Sequence, residues 1–182
     1  PLIAAQAVLP DEGRPGLIRT FAGPRALMLC GAASPDKRWY AAGDASGGVT
    51  LWDTASGSVV HQWQVGHHAI NDCCFTASGE GLITASTDLR LWDVATARLA
   101  HSYETDSEVL HVSLSPCATI VICGTVEGRV YVGDLAQEEL TVIHGAHRGA
   151  VRACAFSPNG DRFVTASVDK TVRLWQLPDV HL

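Results

Sequence analysis

The sequence lacks a long apolar segment, which excludes a protein that crosses a membrane by helices. No apolar run in its 182 residues approaches the roughly 20 residues that a spanning helix needs. The opening stretch PLIAAQAVLP also lacks the charged start of a secretory signal peptide. We therefore expect an intracellular, cytoplasmic location, with the nucleus as the alternative, and no membrane partner.

Clustered positive charge is missing as well. The chain carries 13 Lys and Arg against 19 Asp and Glu, for a formal net charge of −6. Binding to a nucleic-acid backbone depends on grouped Lys and Arg that neutralise phosphates. With 47% hydrophobic residues, the chain is long enough to bury a core. We expect a globular protein that does not bind nucleic acid.

The cysteines lack both CxxC pairs and the spacing of a disulfide framework. We expect core thiols in a reducing compartment. A metal cluster of His67, His68, Cys73 and Cys74 is the alternative, but adjacent residues of a strand point to opposite faces and chelate poorly. We expect no metal and no cofactor. The six cysteines are Cys30, Cys73, Cys74, Cys117, Cys123 and Cys154.

One stretch near the C-terminus, residues 147–176, explains the rest of the chain. Its strand-like runs alternate apolar and polar residues or are uniformly small and apolar, and Pro158 and Gly160 mark a turn between the first two. The pattern predicts an antiparallel meander of three strands. These runs are Val151 to Phe156, Arg162 to Ser167 and Thr171 to Gln176.

The same meander recurs along the chain. Its end is marked by Leu51-Trp52-Asp53, Leu91-Trp92-Asp93, Val132-Gly133-Asp134 and Leu174-Trp175-Gln176, at spacings of 40, 41 and 42 residues. A period near 40 with a terminal Trp-Asp, and a His about 22 residues before the turn Asp, resembles the WD-repeat family of β-propellers. The resemblance implies an all-β WD-repeat β-propeller with four repeat units. We favour part of a larger propeller over a closed four-blade ring.

The resemblance covers roughly Gly16 to Leu177 and implies a division of the chain. Residues 1–14 are expected to be a stub of a preceding blade or a loop, and residues 15–182 the propeller repeats. The stub, with Leu2 to Leu9 as the tail of a strand, leads us to expect that sequence upstream supplied another blade. An open sheet edge is a route to association. The meanders are expected at 25–53, 68–93, 107–134 and 149–176. Outer strands are expected at 16–21, 58–64, 98–103 and 139–144.

The resemblance also implies a buried hydrogen-bonded network in each complete repeat. It joins a His before the first strand, a Ser or Thr of the second, an Asp of the next turn and the Trp of the third. The fourth repeat supplies His147, Ser167, Asp169 and Trp175. The second repeat keeps Ser86, Asp88 and Trp92.

A hydrolase is the alternative interpretation of Ser167, His147 and Asp169, because acyl transfer uses a nucleophile, a base and a carboxylate. No nucleophile elbow or oxyanion loop accompanies these residues. We therefore expect a structural role for them and no enzyme activity.

The function expected from this resemblance is a protein-protein interaction scaffold that binds a peptide or a partner domain on one propeller face. Chosen by position alone, the candidate contact residues are His68, Asn71, Arg148 and Arg152. The two arginines suit an acidic or phosphorylated motif. One alternative is an architectural segment of a large multidomain protein without its own ligand. A second is an enzyme that uses the central pocket.

Overall fold

The computed structural model describes residues 16–23, 26–117, 119–137 and 139–177. These residues form fifteen strands in four antiparallel sheets, without a helix, so the all-β prediction is confirmed. Nowhere in these ranges is there a helix long and apolar enough to cross a membrane.

Within each sheet the strands lie side by side in chain order. The first sheet contains β1 (Met28–Ala33), β2 (Trp39–Asp44), β3 (Gly48–Asp53) and β4 (Val59–Gln64). The second contains β5 (Asp72–Phe75), β6 (Gly81–Ala85), β7 (Leu89–Asp93) and β8 (Arg98–Tyr103). The third contains β9 (Val109–Leu114), β10 (Ile120–Thr125), β11 (Val130–Asp134) and β12 (Glu139–Ile143). The fourth contains β13 (Val151–Phe156), β14 (Arg162–Ser167) and β15 (Val172–Gln176).

The turn between the first and second strands of every sheet is closed by one side-chain hydroxyl. It accepts a hydrogen bond from the backbone N–H five residues later, at 2.9 to 3.0 Å. Because Ser and Thr satisfy a turn N–H in this way, they recur at the position. The four residues are Ser34, Thr76, Ser115 and Ser157.

The core lies between consecutive sheets. Three separate hydrophobic clusters fill the three interfaces, and neighbouring residues of one strand belong to different clusters, as Leu82 and Ile83 do. The second strands of the two middle sheets, β6 and β10, are therefore buried on both faces, which explains their continuous apolar runs. The extensive packing joins β1 to β5, β5 to β9 and β9 to β13.

The first and fourth sheets do not pack against each other to a comparable extent through the described residues. The described residues thus form a row of four blades, and no packing among them closes the four-blade ring that was one of the two expected arrangements.

The outer strand expected at 16–21 is a wrong prediction. This segment has no ladder partner among the described residues, and a strand exists only through such a ladder. It lies instead against the first sheet, where the Phe21 ring is 5.3 Å from Tyr40 and 5.9 Å from Trp52 between centroids. The expected stub at 1–14 lies outside the described residues.

Candidate functional site

The fourth sheet carries a hydrogen-bonded chain centred on His147, whose side chain is fully buried. His147 Nε2 lies 2.7 Å from Thr165 Oγ1, and Nδ1 lies 3.0 Å from Asp169 Oδ2. Trp175 Nε1 donates to Thr165 Oγ1 at 2.8 Å. All these atoms are satisfied when the Thr165 hydroxyl donates to Nε2 and the Nδ1–H donates to Asp169.

The carboxylate of Asp169 ends this chain and collects further donors. Thr171 donates to Oδ1 through both its hydroxyl, at 2.6 Å, and its backbone N–H, at 2.9 Å. The backbone N–H of Arg148 donates to Oδ2 at 3.0 Å. The Thr171 hydroxyl, followed by the Arg148 amide and His147, holds the pKa of Asp169 below its ordinary value.

Ser167 does not take the place in this chain that the family resemblance implied. Its hydroxyl donates to the carbonyl of Gly149 at 2.7 Å. The β14–β15 register places Trp175 opposite Phe163, so Thr165 is two residues from that position and Ser167 is four. Since a strand rises about 3.3 Å per residue, Thr165 is the hydroxyl that the indole can reach.

The second sheet repeats the same two contacts. Trp92 Nε1 donates to Thr84 Oγ1 at 3.0 Å, as Trp175 does to Thr165. Ser86 Oγ donates to the carbonyl of Ala69 at 2.8 Å, so it ties the loop before β5 to β6. Thr84, rather than Ser86, is therefore the partner of the indole in this sheet too.

Asp88 of the second sheet has an arginine partner in place of a histidine. Arg90 forms a salt bridge to Asp88 Oδ2 at 2.9 Å and also contacts the carbonyl of Val65. His67 and His68 are exposed. The guanidinium thus links the turn to the loop before β5, which is the connection that His147 makes in the fourth sheet.

The third sheet, which has Gly133 in the Trp position, uses a tyrosine. The Tyr131 hydroxyl donates to Asp106 Oδ1, and Arg129 Nη1 donates to the same oxygen at 2.8 Å. The hydrogen bond from Tyr131 is the main reason that the pKa of Asp106 is lowered. The first sheet has Ala42 at the Thr165 position, and its Trp52 Nε1 donates to the backbone of Ala22 at 3.1 Å instead.

Thr84 and Thr165 are the site residues that the sequence analysis missed. Each lies two residues before a serine, Ser86 or Ser167, at the same point of its repeat. A threonine at the same point of both repeats was the signal in the sequence that could have identified them. The sequence could not rank two hydroxyls on the same face of one strand, because the choice depends on the register with the next strand.

The candidate contact residues lie in or beside the loops that lead into β5 and β13, and their surroundings differ. His68, Arg148 and Arg152 are exposed. Asn71 Nδ2 donates to Glu108 Oε1 at 2.9 Å and to the carbonyl of Val109 at 2.8 Å. Its amide therefore joins the second and third blades.

The cysteines and histidines near β5 are not gathered around one point. Cys73 belongs to the hydrophobic cluster between the first two sheets, whereas Cys74 packs against the next cluster. In the part of the chain that the structure describes, no three His, Cys, Asp or Glu residues lie together in a way that could hold a metal ion.

Comparison with known proteins places these repeats in a family. A sequence profile described as "WD domain, G-beta repeat" matches residues 138–176, which include the whole fourth sheet. Human WD repeat-containing protein 90 is 28% identical over 155 residues, covering 77% of this chain and 9% of the relative. Human DmX-like protein 1 is 31% identical over 152 residues, covering 74% of this chain and 5% of the relative.

A shorter relative is the serine-threonine kinase receptor-associated protein of Dictyostelium discoideum, 29% identical over 129 residues. That match covers 70% of this chain and 43% of the relative, so the chain spans less than half the length of each of these three proteins. These matches indicate the same family as the structure does, with its four sheets in a row and its Trp–Thr contact repeated in two of them. The chain belongs to the WD-repeat family of β-propeller proteins.

Proposed function

We propose that this chain is a non-catalytic protein-interaction scaffold that binds a peptide or partner domain at the end of the blades where the loops enter the first strands. The observation that carries the proposal is the position of Arg148. Its backbone N–H is fixed by Asp169, while its side chain is exposed. One relative is named a receptor-associated protein, which agrees with a role in association.

The chemistry of this surface favours an acidic or phosphorylated motif. Arg148 and Arg152 are exposed, as is Lys170, which adjoins Asp169 in the turn. Among the described residues neither arginine takes part in an ion pair. Guanidinium groups bind carboxylates and phosphates through paired, charge-assisted hydrogen bonds, so two exposed arginines without an ion pair are suited to such a ligand. We include His68 as an additional contact.

The geometry of Ser167 supports the non-catalytic part of the proposal. A nucleophilic serine needs a hydrogen bond to its base. The Ser167 hydroxyl is directed to the Gly149 carbonyl, and both ring nitrogens of His147 are occupied by Asp169 and Thr165. The network therefore holds the loop at Arg148 in place and leaves Ser167 without a base that could activate it.

The test is binding of the chain to an array of acidic peptides, each in phosphorylated and unphosphorylated form, followed by fluorescence anisotropy on the positives. Removing a charge-assisted hydrogen bond costs about 1.5 to 3 kcal/mol, so Arg148→Ala should weaken binding roughly tenfold to a hundredfold. Arg152→Ala should weaken it in the same direction.

The matched control is Arg162→Ala, since Arg162 is an exposed arginine at the start of β14, the opposite end of the same sheet. It should leave binding unchanged. Equal losses for Arg162→Ala and Arg148→Ala would contradict the proposed surface. Failure of every peptide to bind would favour an architectural segment without its own ligand.

A further inference from the structure

Two thiols face each other across the interface of the first two sheets. Cys30 Sγ lies 3.6 Å from Cys73 Sγ. Cys30 belongs to β1 and Cys73 to β5, and 43 residues of chain separate them. The two sulfur atoms are thus in van der Waals contact although no backbone ladder joins their strands.

The same repeat position forms a polar contact at the other two interfaces. Asp72 Oδ2 accepts a hydrogen bond from the backbone N–H of Val112 at 3.0 Å. His111 Nδ1 lies 3.2 Å from Cys154 Sγ. Along the described first strands, this position therefore links each blade to the next, and at the first interface the link consists of two cysteines.

The two thiols differ in exposure. Cys30 is partly exposed, whereas Cys73 is 5% exposed. When Cys30 ionises, the neighbouring Cys73 thiol donates to it, and this hydrogen bond lowers the pKa of Cys30. The same contact and burial raise the pKa of Cys73. Of these two, Cys30 is therefore the thiol that a small oxidant reaches more readily as thiolate, and it has a second thiol beside it.

We propose that Cys30 and Cys73 form a redox-sensitive disulfide that locks the first blade to the second when a hydroperoxide is present. The Cys30 thiolate attacks a peroxide oxygen, which gives a sulfenic acid and, from hydrogen peroxide, water. The Cys73 sulfur then displaces the sulfenic oxygen as a second water. Overall, two thiols lose two hydrogens and one hydrogen peroxide becomes two waters, so sulfur is oxidised and peroxide oxygen is reduced.

The link would act on the joint between two blades. It joins residues 43 apart in sequence, and a cross-link of that span restricts the unfolded chain strongly. The oxidised first blade could no longer separate from the second without unfolding. Reduction by a dithiol would remove the link.

The experiment uses the full 182-residue chain, treated with hydrogen peroxide, alkylated and digested with trypsin without reduction. Residues 26–37 and 39–90 are tryptic peptides, and the expected product is their cross-link, lighter than the two separate peptides by two hydrogens. Because exposed Cys117, whose pKa is lowered to about 7, also reacts with peroxide, thiols are titrated in Cys117→Ser, where oxidation should remove two. The urea midpoint of unfolding should rise on oxidation and return after dithiothreitol.

Two matched variants identify the sulfur, because peptide 39–90 contains both Cys73 and Cys74. Cys74→Ser should retain the cross-link, and Cys73→Ser should lose it. Cys154→Ser should also retain it, since Cys154 has the repeat position of Cys73 but faces His111. A cross-link that survives in Cys73→Ser, or oxidation of Cys30 to sulfinic acid without any cross-link in the unmutated chain, would overturn the proposal.

Discussion

The indole N–H of Trp175 donates to the hydroxyl of Thr165 across the β14–β15 ladder, at 2.8 Å. The same hydroxyl lies 2.7 Å from His147 Nε2, so one threonine connects the third strand to the loop before the first strand. Buried polar atoms in such a chain depend on one another for partners. Removing the Thr165 hydroxyl would therefore take a partner from both His147 and Trp175.

Thr165→Val should destabilise the chain by about 1 to 3 kcal/mol, because valine keeps the shape but leaves the Trp175 N–H and His147 Nε2 without their partner. Urea unfolding followed by tryptophan fluorescence measures the change. Thr141→Val is the control, since Thr141 is an exposed threonine of β12, and it should have little effect. Equal stability of the two variants would show that the hydroxyl at Thr165 is dispensable.

Asp169 should make the free energy of unfolding of the chain fall as the pH is lowered into the acid range. Its pKa in the folded chain is held below its ordinary value, chiefly by the Thr171 hydroxyl. The stabilisation is therefore complete above about pH 4, where an unfolded-chain Asp is ionised, and is lost as the pH falls through the folded-state pKa. Urea midpoints measured from pH 6 down to pH 2 should decline less steeply in Asp169→Asn.

The control for that comparison is Glu127→Gln. Glu127 occupies the position of Asp169 in the third repeat and is exposed. It should leave the acid decline unchanged. An identical decline in Asp169→Asn and the unmutated chain would contradict the assigned role of this carboxylate.

In each sheet a small residue lies near the end of the second strand. Replacing it with a larger one tests whether another sheet packs against that face. At Gly124, an added Cβ would lie 2.7 Å from Val151 Cβ in the next blade, and Ala85 in the corresponding place is fully buried. Ala85→Val should therefore cost about 1 to 3 kcal/mol through overpacking. The measurement is again urea unfolding.

Ala166 has the same position in the fourth sheet and is only partly buried. Because the described structure packs no further sheet on that face, Ala166→Val should be nearly neutral. A penalty as large as that of Ala85→Val would mean that another sheet, from this chain or a second copy, covers the fourth blade in solution.

The sequence alone was sufficient for the fold class but not for the contacts within the site. The repeat spacing and the Trp-Asp ends predicted four β units, and the structure has four sheets, the last of which lies within the family match. The segment at 16–21 was expected as a strand because its residue pattern suits one. A strand needs a partner, however, and pattern cannot supply one.

Within the site, the sequence identified His147, Asp169 and Trp175 as neighbours but chose the wrong hydroxyl. Arg90 was not expected to reach Asp88, since no pattern predicts that an arginine will serve where the histidine is missing. Both outcomes depend on side chains from different strands meeting at a few ångströms.

The sequence by itself determined the period, the turns and the alternation of buried residues, because these depend on the conformational preferences of residues near one another in the chain. Tertiary structure alone decided that Thr165 serves Trp175, that the row of blades stays open between its described ends, and that Cys30 meets Cys73. Each of these depends on how strands distant in sequence are registered or packed, and residue order sets that only through the free energy of the whole fold.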